Sequence, residues 1–206
     1  MEPPEAADDA KPFCAPARQD QRMLSVIIAT DNSERILVRT LAALVPGAIE
    51  GLISEVVVAD AGSSDDTAAV ADVAGCNFVV LEGSLAERLS AATARARAPW
   101  LLFLRPGTVL DPGWTGEARR FIEQSEGEPR AAVFRRGTSA QPGLGEALAL
   151  SVAGLIGRPR PEQGLLISRQ FHGALGGHRD GADTEIALIR RIGRRRLVTL
   201  ASGVRS

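Results

Sequence analysis

Two short polar segments of this sequence place carboxylates beside the small residues that let a chain turn around a ligand. Residues 30–34 read TDNSE and residues 60–65 read DAGSSD. The Asp60 carboxylate can accept hydrogen bonds from a nucleobase or a ribose, while Gly62 permits a tight turn. The alternative is that the second segment merely caps a following helix, and the local sequence alone favours that interpretation.

Two later positions carry charges suited to group transfer. Arg105 follows the apolar residues 100–104, and arginine makes strong bidentate contacts with phosphate oxygens. An ordinary surface arginine is the alternative. Asp183 precedes a predicted helix, and its carboxylate can take a proton from an attacking hydroxyl. The alternative for Asp183 is an N-cap, with Glu185 stabilised by the positive end of the helix.

The chain around these positions alternates between strands and helices. Short β-branched or apolar runs predict strands at residues 24–30, 56–59, 78–81 and 100–104, and periodic segments predict helices at 34–44, 67–74 and 85–97. This alternation predicts an α/β fold with a mostly parallel central sheet, flanked by helices. Ligands of such sheets bind beyond the carboxyl ends of the strands, where the polar segments lie.

The second half is less regular but belongs to the same predicted domain. Strands are predicted at residues 131–135, 164–168 and 197–201, and helices at 144–157 and 184–192. Residues 1–22 are rich in Pro, Ala, Asp and Glu and lack the apolar centre of a signal peptide, so we predict a disordered tail. Residues 23–206 form the single predicted domain.

Composition narrows the functional classes. With a net charge of -1, the 206-residue chain gives no general electrostatic case for a nucleic-acid partner. Cys14 and Cys76 lie in no paired motif, which favours a reducing, cytoplasmic location. No segment approaches the length of a membrane span. The arginines within residues 190–196 suit a phosphorylated acceptor or peripheral contact with an anionic membrane, although a solvated helix end is the commoner explanation.

Taken in order, six segments resemble the family 2 glycosyltransferases, which have a single-domain GT-A fold of the Rossmann-like kind. Within that family, the segments look like those of the short bacterial arsenosugar-type enzymes. The resemblance extends over about residues 24–200, and its ordered set is more specific than any one piece. The segments are SVIIATDNSE (25–34), EVVVADAGSSDDT (55–67), WLLFL (100–104), QGLLISR (163–169), LGG (175–177) and DTEIALIRRIG (183–193).

The resemblance implies roles for individual residues. Asp60 would bind the base of a uridine or guanosine diphosphate sugar, and Gly62 lies in the same turn. Thr30, Asn32 and Glu34 would line the same pocket. Basic residues facing the diphosphate would be Arg105 and Arg88, although a solvated helix face is an equal alternative for Arg88. Asp183 would be the catalytic base, with Ala182 replacing its usual acidic neighbour.

Family members usually carry two carboxylates, one residue apart, after the fourth strand. These carboxylates hold a divalent cation against the sugar diphosphate. Here the positions belong to Arg105-Pro106-Gly107, so no metal ligand is predicted and the sequence argues against a Mg²⁺ or Mn²⁺ cofactor. The predicted activity is inverting, non-processive sugar transfer to an unidentified acceptor hydroxyl. The alternative is a catalytically inactive domain that binds a nucleotide, a sugar or a protein.

Overall fold

The apolar runs of the sequence form one mixed sheet. The computed structural model describes residues 23–137 and 159–205, and the sheet order in that part is β3-β2-β1-β4-β7-β6-β8-β5. The first four strands in this order are mutually parallel, as predicted, whereas β7 and β5 run antiparallel to their neighbours. The strands are β1 (Leu24–Thr30), β2 (Ile53–Asp60), β3 (Asn77–Val80), β4 (Trp100–Leu104), β5 (Val109–Leu110), β6 (Ala131–Arg136), β7 (Leu165–Ser168) and β8 (Leu197–Arg205).

Helices cover both faces of this sheet. Along β1, Val26 and Ile28 pack into one buried cluster and Ile27 packs into another. A strand covered on both faces needs apolar side chains at successive positions, which explains its unbroken apolar sequence. The helices are α1 (Glu34–Ile49), α2 (Thr67–Val73), α3 (Leu85–Arg95), α4 (Trp114–Gln124), α5 (Arg169–Ala174) and α6 (Thr184–Ile192), with a 3₁₀ turn at Pro161–Gln163.

The end of α1 differs from the sequence prediction. The predicted helix stops at residue 44 because Pro46 and Gly47 follow, yet α1 continues to Ile49. A proline this close to the end removes little of the helical hydrogen bonding. Gly47 gives Trp114 of α4 a place to pack, since a Cβ at Gly47 would lie 2.7 Å from a ring carbon of Trp114. The indole N–H donates to the Ala43 carbonyl at 3.1 Å.

Other predicted elements agree with the structure within a few residues. The bounds of β1, β4 and α6 coincide with the prediction, while α4, α5 and β5 were not predicted. The predicted helix at residues 144–157 and the predicted tail at 1–22 lie outside the described residues, so the domain boundary at residue 23 stays a prediction. In residues 23–137 and 159–205, none of the helices combines the length and the hydropathy that a bilayer span requires.

Candidate functional site

The predicted site residues meet at one edge of the sheet. Strand β1 lies between β2 and β4, and all three run parallel, so their carboxyl ends point to the same edge. Adjacent strands are about 4.8 Å apart, which separates the ends of β2 and β4 by roughly 10 Å. Asp60 ends β2, and Arg105 directly follows β4. One sugar nucleotide can therefore reach both positions.

The loops after β1 and β2 are tied together by hydrogen bonds. The Asn32 backbone N–H donates to Ser63 Oγ at 2.8 Å, and Asn32 Oδ1 accepts from the Ser64 N–H at 3.0 Å. The Glu34 N–H donates to Asp65 Oδ2 at 3.1 Å. Asn32 has a φ of 45°, a left-handed conformation that asparagine tolerates better than most residues. The two loops thus form one rigid unit, which we call the donor loops (residues 30–34 and 60–67).

Asp60 is held by its own turn. Its side chain is buried, with 1% of the residue exposed. Oδ1 accepts from the hydroxyls of Thr30 at 2.7 Å and Ser63 at 2.6 Å, while Oδ2 accepts from the N–H groups of Gly62 at 2.8 Å and Ser63 at 2.6 Å. Burial alone would raise the pKa of Asp60, but these hydrogen bonds outweigh it and lower the pKa. Asp60 stays ionised and shapes the turn.

Gly62 and Asp65 complete the second loop. Gly62 has a φ of 93°, which a side chain would strain, and a Cβ there would meet open space. Asp65 Oδ1 accepts from the Thr67 N–H and hydroxyl at the start of α2. The hydrogen bond from Thr67 is the largest of the effects that lower the pKa of Asp65. Asp65, rather than Asp60, therefore stabilises the start of the following helix.

Arg88 braces the ends of two strands from the α3 side. Its Nη1 donates to the carbonyls of Thr30 at 2.9 Å and Ala59 at 3.3 Å. Its Nε is buried without a hydrogen-bond partner in the described part of the chain. The solvated-helix alternative for Arg88 is therefore wrong. The guanidinium instead lies beneath the donor loops and brings a positive charge to them.

Arg105 lies between two glutamates. Nε donates to Glu185 Oε2 at 2.9 Å, Nη2 bonds to the same oxygen, and Nη1 donates to Glu162 Oε1 at 2.9 Å. Burial would lower the pKa of Arg105, but the charges of Glu185, Glu162 and Asp183 raise it overall. The side chains of Arg105 and Glu162 are 43% and 44% exposed, so that ion pair contributes little to stability and can exchange partners, whereas Glu185 is only 15% exposed. We call this group, with Asp183, the transfer side.

Asp183 is an exposed residue directly before α6. Its carboxylate makes no capping hydrogen bond with the helix, so the N-cap alternative is not realised in the side chain. Arg105 bonds to Glu185, two residues after Asp183, so both charged groups lie near the amino end of α6. Within residues 23–137 and 159–205 no ion pair joins the Asp183 carboxylate to Arg105, so the role of Asp183 as a base stays a prediction.

A buried histidine pair supports the segment that leads to Asp183. His172 Nε2 and His178 Nδ1 are 3.2 Å apart, and both rings pack against Phe103 of β4. Burial lowers the pKa of His172 to about 4, with help from the charge of Arg191. Burial also lowers the pKa of His178 to about 3, with smaller contributions from His172 and Arg191. Both rings are neutral near pH 7, and they act as packing groups.

Some of the arginines within residues 190–196 have a structural role. Arg191 donates to the carbonyls of Leu175 and Gly177, each at 2.6 Å, and holds the same segment from α6. The Arg196 guanidinium lies 5.8 Å from the centre of the Phe171 ring. Arg190, Arg194 and Arg195 remain exposed. Contact with a phosphorylated acceptor or a membrane stays a prediction for those three.

The donor set at the edge does not fit a divalent cation. Across residues 23–137 and 159–205, no three His, Cys, Asp or Glu side chains converge as metal ligands. Where the resemblance would place carboxylates, this chain has Arg105. Its guanidinium already forms ion pairs with Glu162 and Glu185. A cation would have to displace a group of like charge. We therefore derive no step of the reaction through a metal.

A cavity of about 670 Å³ lies away from this edge. It is beside the amino ends of β1 and β4, and it contains none of the predicted site residues. It is lined mainly by apolar groups, including Met23, Trp100 and Phe171.

Several site residues were not found from the sequence. Glu162 and Glu185 reach Arg105 across 57 and 80 positions of the chain, and no local pattern announces such pairs. Ser63 is not among the predicted site residues, although it donates twice to Asp60. The segment 60–65 held the signal for Ser63, because a serine three residues after an aspartate commonly closes such a turn.

The sheet order and its flanking helices are those of a GT-A domain. The model of the family described as "Glycosyl transferase family 2" matches residues 25–136, more than half of the chain. The chain therefore belongs to glycosyl transferase family 2. Sugar transfer from a nucleotide sugar is the general activity of the family, and the chain is accordingly a transferase. No curated protein matches the sequence.

Solved structures give the same fold. Glucosyl-3-phosphoglycerate synthase from Mycobacterium tuberculosis, in complex with Mn²⁺, UDP and glucosyl-3-phosphoglycerate, aligns with a TM-score of 0.61 at 20% identity, covering 90% of this chain and 72% of that one. Its complex with Mn²⁺, UDP-glucose and phosphoglyceric acid gives 0.62 at 21% identity, with the same coverage. TarS (residues 1–349) from S. aureus gives 0.62 at 17% identity, covering 87% of this chain and 58% of that one. The narrower likeness to arsenosugar-type enzymes stays a prediction.

Proposed function

We propose that this chain transfers a sugar from a uridine diphosphate sugar to an acceptor hydroxyl, with inversion, one sugar at a time, and without a divalent cation. The observation that carries the proposal is the position of Asp183 at the amino end of α6, where Glu185 of the same helix bonds to Arg105. The donor loops lie at the same edge of the sheet. Uridine is favoured over guanosine because the similar synthase complexes contain UDP or UDP-glucose.

The nucleotide would bind against the donor loops. A carboxylate offers about four lone-pair sites, and all four of those on Asp60 have donors in this structure. The Ser63 hydroxyl is the donor that can rotate away, which would leave Oδ1 to an N–H of the base. Asn32 and Glu34 lie on the adjoining loop and would border the nucleotide, while Thr30 holds Asp60 from below.

The diphosphate would bind at Arg105, supported by the positive charge of Arg88. Glu162 is half-exposed, so phosphate oxygens can replace it as the partner of Arg105 Nη1 at little cost. Negative charge grows on the leaving phosphate as the bond to the sugar breaks. A fixed guanidinium offsets that charge in the place where relatives use a cation.

The chemical step would be a single displacement. The acceptor oxygen attacks the anomeric carbon, and the bond from that carbon to the phosphate oxygen breaks. The bonding electron pair leaves with the nucleoside diphosphate. The hydroxyl proton passes to the Asp183 carboxylate, which is exposed and accepts no capping hydrogen bond. Attack from the face opposite the leaving group inverts the anomeric centre.

Calorimetric titration with UDP, GDP and uridine, each with Mn²⁺ or with a chelator, tests the donor site. We expect UDP to bind more tightly than GDP, with a Kd that changes less than about twofold between Mn²⁺ and chelator. Arg105→Ala should weaken UDP about tenfold or more and leave uridine unchanged, because uridine lacks the diphosphate. Arg130→Ala, which breaks an exposed pair with Glu128, is the matched control. Absence of UDP binding, or a strict need for Mn²⁺, would overturn the proposal.

A catalytically inactive binding domain is the second candidate. The replacement of the acidic pair by Ala182-Asp183 and the pairing of Arg105 with two glutamates favour it. UDP binding without release of UDP from UDP-sugars, across a broad panel of hydroxyl acceptors, would support this candidate. The cytoplasmic location inferred from cysteine usage stays a prediction.

A further inference from the structure

The outward face of α1 carries an apolar stripe that nothing in the described chain covers. Val38, Val45 and Ile49 are 49%, 50% and 81% exposed, and Ala42 between them is also exposed. Their spacing of four, three and four residues places all four side chains on one line along the helix. Monomeric surfaces usually scatter such residues singly. Three of the seven exposed large apolar side chains in the described residues lie on this stripe.

Charged residues border the α1 stripe on one side. At about 100° per residue, Arg35, Arg39 and Glu50 all project from the same flank of the helix. The two arginines lie near the amino end of α1 and the glutamate lies just past its carboxyl end. The flank is therefore positive at one end and negative at the other.

We propose that a second copy of this chain covers the α1 stripe, with the two α1 helices packed antiparallel about a two-fold axis. A rise of 1.5 Å per residue puts the axis midway between positions 42 and 45. Val38 then lies opposite the partner's Ile49, and Ala42 lies opposite the partner's Val45. The small Ala42 at the centre lets the two helices approach closely.

Charge complementarity selects this arrangement. A two-fold axis between antiparallel helices brings the same flank of each helix together with its ends reversed. Glu50 of each copy then falls between the levels of Arg35 and Arg39 on the other helix. A parallel pair would place the arginines of both copies at one end and both glutamates at the other. The antiparallel pair forms complementary contacts at both ends, and a partner without this pattern would not.

Sedimentation equilibrium of the full chain tests the dimer. One helix from each copy makes a small interface, so the protein should be examined from about 1 µM to about 1 mM, the range in which weak complexes dissociate. We expect the mean mass to rise from monomer toward dimer across this range. Val45→Asp with Ile49→Lys should hold the mass at that of the monomer. Val198→Lys, at an exposed apolar position of β8, is the matched control and should still dimerise.

A charge exchange tests the orientation. Glu50→Arg alone, and Arg35→Glu with Arg39→Glu in another chain, should each weaken the dimer about tenfold or more through repulsion across the axis. An equimolar mixture of these two variants should recover the dimer, because each helix then meets opposite charges at both ends. Circular dichroism checks that every variant is folded. A monomeric mass at all concentrations, a dimer insensitive to the stripe substitutions, or a mixture that fails to recover would overturn the proposal.

Discussion

The donor loops and the transfer side occupy the same edge of the sheet but are built differently. In the donor loops, carboxylates such as Asp60 and Asp65 are saturated by hydrogen bonds from their own neighbourhood. On the transfer side, the ion pair of Arg105 with Glu162 is half-exposed, and Asp183 accepts no capping bond. The first region is fixed before a ligand arrives, whereas the second can exchange partners. The donor loops are thus preorganised, whereas the ion pair of Arg105 with Glu162 is open to exchange with a ligand.

Loss of the Asp183 carboxylate should impair the proposed chemistry of the transfer side and leave the donor loops intact. Asp183→Asn is expected to lower kcat by about 10² to 10⁴, because the acceptor proton loses its base. Nucleotide affinity and the free energy of unfolding should stay unchanged, since Asp183 caps nothing through its side chain. Release of UDP from a turned-over UDP-sugar measures the rate. Asp72→Asn on α2 is the control, and a rate within about threefold of the parent for Asp183→Asn would contradict the assignment.

Acid should lower the free energy of unfolding by protonating the buried pair His172 and His178, which supports the segment before Asp183. The unfolded pKa is 6.5 and the folded values are about 4 for His172 and about 3 for His178, so the unfolded chain binds more protons below pH 6.5. The stabilisation that comes from keeping the two histidines neutral is therefore complete above pH 6.5. It is lost as the pH falls toward 4, by up to about 3 kcal/mol per histidine.

Denaturant unfolding at several pH values between about 7 and about 4 measures this loss. His172→Gln with His178→Gln should flatten the acid slope, and the slope that remains belongs to carboxylates such as Glu55 and Asp60, whose pKa values are lowered. An identical slope in the double variant would show that the pair is not the acid-sensitive group.

Loss of the Asp60 carboxylate should destabilise the donor loops. Asp60→Asn puts an amide NH₂ where an oxygen now accepts two hydrogen bonds, and we expect the free energy of unfolding to fall by about 1 to 3 kcal/mol. UDP affinity should fall with it. Asp111→Asn, which breaks a surface pair with Arg205, should cost less than about 1 kcal/mol. Equal costs in the two variants would mean that the Asp60 turn is not preorganised.

The smallest effect is expected where the transfer side meets α3. The Ser84 hydroxyl accepts from the Glu87 N–H as a helix cap and donates to Asp180 in the segment before Asp183. Ser84→Ala should cost about 1 kcal/mol of stability and lower kcat only about twofold. Thr93→Ala, whose hydroxyl donates only within α3 to the Leu89 carbonyl, is the control. A loss of activity as large as that of Asp183→Asn would mean that this contact positions the base.

The sequence predicts the strands of the sheet and the edge at which the site lies, but not the ion pairs between distant residues at that edge. The apolar run of β4 announces a strand covered on both faces, and the polar residues after β1 and β2 mark the carboxyl ends. The ion pairs of Arg105 join residues far apart in the chain, so they depend on how the second half folds back. The predicted end of α1 is wrong because the sequence alone does not show that Gly47, directly after Pro46, packs against Trp114.

That packing partner sets an unequal tolerance to substitution along α1. Any side chain at Gly47 would meet two Trp114 ring carbons and Ile53 within 3 Å, and Trp114 lies in the core. Positions 46 and 48 on either side are exposed and have room for other residues. A saturation scan would therefore find one glycine that cannot change between two positions that accept other residues.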